Sequence, residues 1–155
     1  MADLEKVHVK LGISGTYWDR KPLYSVLFND QEIQTAAVSG ASGEIEYVEF
    51  DAEYDTELAV LKIRLFNKVP TDTVLTRDRT GIEKDMLLNI VSIEIDKIDL
   101  GPTLPWKLSE YHTDQSVQFH GENTHLVKNC VNLGWNGTWS LTWSNPFYIW
   151  LLENI

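Results

Sequence analysis

The sequence holds one cysteine, Cys130, two methionines and five prolines in 155 residues. A single thiol closes no internal disulfide and builds no thiolate metal site by itself. The stretch Leu126-Val127-Lys128-Asn129-Cys130-Val131 is largely apolar, so a buried, inert thiol is expected. Basic residues are also scarce. Thirteen Lys and Arg stand against 23 Asp and Glu, for a net charge of −10. Such a surface repels phosphate backbones and anionic membranes, so neither nucleic acid nor membrane is expected as a partner. No apolar run approaches the roughly 20 residues needed to span a bilayer. The opening Met1-Ala2-Asp3-Leu4-Glu5-Lys6 is charged and has no apolar centre, so no secretory signal is expected and synthesis is placed in a cytosol.

Catalytic signatures are missing too. There is no P-loop, no dinucleotide fingerprint and no Gly-x-Ser-x-Gly elbow. Four histidines, His8, His112, His120 and His125, come without a cysteine or Glu-x-x-His pattern, so no zinc site is expected. A glycosidase would need two carboxylates facing each other across a cleft, which sequence spacing does not reveal. The chain is expected not to be an enzyme.

What is present is period-2 alternation. Val7, Val9, Leu11 and Ile13 point one way, against His8, Lys10 and Gly12. Leu23 to Phe28 and Gln31 to Val38 read as strands joined by a tight Asn29-Asp30 turn. Glu44 to Phe50 alternates, with Ile45, Tyr47 or Val48, and Phe50 as inward candidates. Leu58 to Phe66 is the clearest strand, and Leu87 to Asp96 follows after a long aperiodic stretch. The pattern is all-β: an antiparallel, jelly-roll-like β-sandwich over residues 1–101, with residues 102–155 as a C-terminal extension packed on it.

In that extension, Pro102 and Pro105 bracket a stiff loop around Trp106, and His112 to Thr124 is polar and unassigned. Trp135-Asn136-Gly137-Thr138 carries the strongest hairpin signal in the chain, since Asn-Gly suits a type I′ turn. Trp139, Leu141 and Trp143 share a strand face. Asn145-Pro146 then reads as the N-cap and first residue of a short terminal helix, with a last strand as the alternative.

Three groups are candidates for function. Of six tryptophans, Trp135, Trp139, Trp143 and Trp150 crowd the end of the chain. They form either a core or an interface, and Trp143, Phe147, Trp150 and Leu151 are the residues expected at a subunit contact in a homo-oligomer. Tyr17, Trp18 and Asp19 lie in the loop Gly15 to Pro22, either to stack on a sugar or to cap the sandwich end. The loop Asn67 to Asp85 is too long for an idle connection. Its Asn67, Asp72 and Asp85 offer hard oxygen ligands suited to calcium, although Lys68, Arg77, Arg79 and Lys84 balance its carboxylates. It is either a calcium site or a solvated loop with local ion pairs.

The order of these segments resembles something known. Gly15-Thr16, the Asn29-Asp30 turn, Phe66-Asn67 and Asp85-Met86-Leu87-Leu88-Asn89-Ile90-Val91-Ser92-Ile93 are similar to the calcium-dependent xylan-binding type of carbohydrate-binding module, over residues 6–100. The resemblance implies a β-sandwich whose loop carboxylates and carbonyls hold calcium while sugar hydroxyls complete its shell. Asn67, Asp85, Leu88, Ile90 and Ile93 match. Lys68 stands in place of an acidic residue, Leu87 of an asparagine and Val91 of an aspartate, each change removing an oxygen ligand. The whole chain, including Lys84 to Ile90 and the Phe147 to Leu152 ending, also resembles structural proteins of tailed marine bacteriophages. The expectation is a non-catalytic, carbohydrate-binding-like component of a virion, with a glycan or another virion protein as partner. A purely structural virion subunit is the alternative.

Overall fold

A computed structural model describes residues 4–155. Met1 to Asp3, part of the charged opening on which the absence of a secretory signal was read, lie outside the described residues. In chain order the strands are β1 (Glu5–Thr16), β2 (Leu23–Phe28), β3 (Gln31–Ala37), β4 (Ile45–Tyr54), β5 (Leu58–Leu65), β6 (Val74–Leu75) and β7 (Ile82–Lys84). They continue with β8 (Leu87–Ile95), β9 (Ile98–Asp99), β10 (Glu110–Phe119), β11 (Glu122–Lys128), β12 (Asn132–Leu133) and β13 (Gly137–Ser144). Two helices, α1 (Thr103–Leu108) and α2 (Phe147–Asn154), flank the late strands.

The strands form an antiparallel sandwich. One sheet runs β12-β8-β1-β4 with β9 on β8, and the other runs β11-β10-β13-β5-β2-β3. Alternation decides which side chains meet between them, because successive residues of a strand face opposite ways. Val7, Val9, Leu11 and Ile13 of β1 and Leu88, Ile90, Ile93 and Ile95 of β8 are buried from one side. Ala59, Leu61, Ile63 and Leu65 of β5 and Trp139, Leu141 and Trp143 of β13 are buried from the other. Each Val, Leu or Ile side chain withdrawn from water contributes about 1.5–3 kcal/mol before chain entropy is counted. His8 faces outward, its Nδ1 2.7 Å from Asp51 Oδ1.

Several expectations change. In β4 the inward residues are Val48, Phe50, Ala52 and Tyr54, while Ile45 and Tyr47 are exposed. Residues 102–155 are no appendage, since β13 lies between β5 and β10 in the middle of the larger sheet. The stretch around Trp106 is the helix α1. Asn136-Gly137 is not a hairpin turn, and neither residue has a positive φ. Consecutive positive φ angles occur instead at Asn29-Asp30, as expected, at Asp96-Lys97 and at His120-Gly121. Gly137 opens β13 where β10 passes close by: a Cβ there would collide with His112 O and meet Thr113 Cα at 2.8 Å.

The helix expected at the C-terminus is present, but its N-cap is Pro146 rather than Asn145. Asn145 is drawn the other way, accepting a hydrogen bond from Tyr54 Oη and donating one to Thr56 O. Trp143, Phe147 and Trp150, expected at a subunit contact, are buried within the chain, and Leu151 is half-buried against the core. Trp143 packs on Phe28, Phe147 and Trp150, with ring centroids 5.9, 6.0 and 6.5 Å away. The outward residues of α2 are Tyr148, Ile149, Leu152 and the charged Glu153, followed by Ile155.

Candidate functional site

The stretch from Asn67 to Asp85 is ordered by hydrogen bonds from all sides. As β5 ends, Asn67 Oδ1 accepts from Leu23 N and its Nδ2 donates to Lys21 O, so the side chain bridges to the start of β2. The Asn136 amide does the same for Lys68, accepting from its N and donating to its carbonyl, both at 2.8 Å. A 3-10 turn over Pro70–Asp72 and the β6-β7 ribbon fill the stretch that the sequence reads as a loop.

Two side-chain cations lock this stretch down. Arg20 Nη1 lies 2.8 Å from Asp72 Oδ2, which also accepts from Val69 N, and Arg20 Nη2 donates to Asn67 O. Lys68 Nζ lies 2.7 Å from Asp85 Oδ1 and donates to Gly134 O. Asp85 Oδ1 accepts as well from Thr73 Oγ1 and Met86 N. Burial pushes the Asp85 carboxyl up, but the Lys68, Thr73 and Met86 hydrogen bonds outweigh it and hold it below the usual value.

Of the expected sugar-binding residues, Trp18 is 45% exposed. Its Nε1 donates to Asp72 O, and Lys84 Nζ sits 4.9 Å above its ring. Tyr17 is half-buried, its hydroxyl donating to Gly40 O, and Asp19 is exposed. Trp18 therefore braces the Pro70–Asp72 turn while keeping one edge in solvent.

The other side of that turn borders a feature with no sequence signal. An open cleft of about 600 Å³ runs between Lys68–Pro70, the Asp114–Val117 segment of β10 and Gly134–Asn136. That size suits a small ligand. The cleft exists because β10 leaves both ladders. Its pairing with β13 ends at Thr113, and its pairing with β11 jumps from His112 opposite Leu126 to Val117 opposite Thr124. Such bulges re-aim backbone and side chains beside binding sites. Trp135 lines the cleft from below, its ring against Tyr111 and Phe119 and its backbone N donating to Tyr111 Oη.

Asn67, Asp72 and Asp85 do not fit calcium. The ion takes six to eight oxygens at once, whereas here Arg20 and Lys68 already sit on the carboxylates. Among the described residues no group of three or more His, Cys, Asp or Glu side chains is placed to hold a metal ion. No buried side-chain N or O among them lacks a hydrogen-bond partner.

No protein-family model matches the sequence, and no curated protein matches it. Two solved structures share its fold. A carbohydrate-binding module, vCBM60, in complex with galactobiose aligns with a TM-score of 0.52 at 11% identity, over 86% of this chain and 96% of that one. The selenomethionine form of vCBM60, described with two circularly permuted families of calcium-dependent carbohydrate-binding modules, aligns with a TM-score of 0.52 at 11% identity, over 87% of this chain and 89% of that one. The fold is therefore carbohydrate-binding-module-like.

Proposed function

We propose that this chain is a non-catalytic module that binds a glycan at the end of the sandwich built from residues 15–22, 67–85, 114–117 and 134–136. The observation that carries the reading is the cleft itself. Apolar Trp135, Val117 and Pro70 line it together with polar Gln115, Ser116 and Asn136, the mixture a sugar needs for its ring faces and its hydroxyls. A fold shared with a module solved in complex with galactobiose supports it. Trp18, whose Nε1 donates to Asp72 O, lies across the Pro70–Asp72 turn from the cleft, and the proposed surface extends to it together with Tyr17 and Asp19. A virion is the setting we propose, on the strength of the resemblance to phage structural proteins; mass spectrometry of purified particles should then find the chain. A glycan array probed with the intact chain tests the binding reading. Reproducible binding to at least one oligosaccharide is expected, and silence across the array rejects it.

A second reading has its own observation, the apolar outward residues Tyr148, Ile149, Leu152 and Ile155 at α2. In it the chain docks on a neighbour, or on its own copy, through this face. Sedimentation of the intact chain and of Leu152→Glu tests the self-association form. An assembly that the substitution dissolves supports it, and a monomer in both cases counts against it.

A further inference from the structure

We infer that the cleft between Lys68–Thr73 and Asp114–Val117 binds a neutral oligosaccharide and does so without a metal ion. This rests on the glycan-binding reading and specifies where the ligand sits and what chemistry it carries.

The charged side chains lining the cleft are Lys68 and Asp114. Lys68 is spent on Asp85 at 2.7 Å, and Asp114 on Arg64 at 2.9 Å. Neither presents an uncompensated charge to a ligand, and the chain as a whole carries −10. A uronate or sulfated sugar would leave water for a cleft that offers its anion no free cation, an unfavourable exchange. A neutral sugar bears no such penalty.

Gln115 and Ser116 fall outside the registers of both β10 ladders, and both residues are exposed. The bulge is held in place from within: Asp114 N donates to Asn136 O, and Thr113 Oγ1 donates to Gln115 O. A cleft wall with a fixed backbone and the exposed polar side chains of Gln115 and Ser116 is preorganised for hydroxyls. Trp135 supplies the apolar surface for a sugar ring to lie on.

Lys68 provides a fixed positive charge on Asp85, and Arg20 provides one on Asp72. These covalently attached cations neutralise Asp72 and Asp85 and order the stretch, the task a bound calcium would otherwise perform. A chelator then has nothing to remove.

Isothermal titration of the intact chain tests this, using xylo-, galacto-, gluco- and manno-oligosaccharides and oligogalacturonides, each with calcium and with EDTA. Ser116→Trp is made to fill the cleft, Gln115→Ala is a milder variant in case the first fails to fold, and Trp18→Ala probes the neighbouring loop. The expected result is a neutral oligosaccharide bound with the same Kd in calcium and EDTA. Ser116→Trp should weaken it at least tenfold and Gln115→Ala several-fold, with Trp18→Ala changing it less than either. A preference for oligogalacturonides, loss of binding in EDTA, or loss at Trp18→Ala with both cleft variants unaffected would overturn the inference and leave the glycan-binding reading standing. No binding to any member of the panel would remove that reading, and the inference with it.

Discussion

Lys68 and Asp85 form an ion pair at 2.7 Å in which the two side chains are only 12% and 16% exposed. The pair joins the exit of β5 to the entry of β8 and, through Lys68 Nζ and Gly134 O, to the floor of the cleft. Removing one partner leaves the other charge poorly solvated, which costs about 3–5 kcal/mol when burial is complete. With the residual exposure here, Lys68→Met should cost roughly 2–3 kcal/mol in urea denaturation. A loss within experimental error of zero would show that the pair orders nothing.

The same pair should appear in the acid limb of stability. Folding favours the charged form of Asp85 because its carboxyl is held below the ordinary value. Its contribution is thus present above the unfolded carboxyl pKa of about 3.9 and drains away as pH falls through the folded one. The stability gap between the native chain and Lys68→Met should narrow as pH drops below about 4. Asp78 gives an independent check at an exposed site. Hydrogen bonds from the Thr76 and Thr80 hydroxyls and the Thr80 amide lower it to about 2. NMR titration should place its midpoint there, and Thr76→Val should raise it.

Gly137 is the sharpest steric test. A Cβ at this position meets the His112 carbonyl oxygen and Thr113 Cα, both backbone atoms that cannot rotate away. Gly137→Ala should destabilise the fold by about 1–3 kcal/mol through overpacking, and should push β10 away from β13 beside the cleft. Unchanged stability would contradict so close an approach of β10 to β13.

How much of this was legible in the sequence differs from residue to residue. Val7 to Ile13, Leu61 to Leu65 and Trp139 to Trp143 announce their inward faces, because each strand buries one side and period-2 patterning records it directly. Asn29-Asp30 reads correctly since its turn is local. Asn136-Gly137 misleads because tertiary contacts outweigh turn propensity: the Asn136 side chain pairs with the Lys68 backbone, and Gly137 is needed for strand approach. The cleft was not legible at all. Its walls come from three distant segments, and the bulge at Thr113–Ser116 lies in a polar stretch without periodicity. Lys68 read as a lost calcium ligand, whereas in the fold it is the partner of Asp85.

The aromatic cluster should behave as core and not as surface. Trp143 is fully buried, with Phe28, Phe147 and Trp150 around it. Trp143→Ala should cost about 3–5 kcal/mol, measured by chemical denaturation, with no dependence on protein concentration. A cost that grows on dilution of the native chain would instead place the ring at a subunit contact.

The most direct test of the whole account is an NMR titration of the ¹⁵N-labelled chain with the best-binding neutral oligosaccharide, in EDTA. Amide shifts should concentrate at residues 114–117 and 134–136, and the oligosaccharide should be recovered uncleaved. Shifts confined to α2, hydrolysis of the sugar, or no shifts at all would contradict a non-catalytic, metal-independent glycan site at this end of the sandwich.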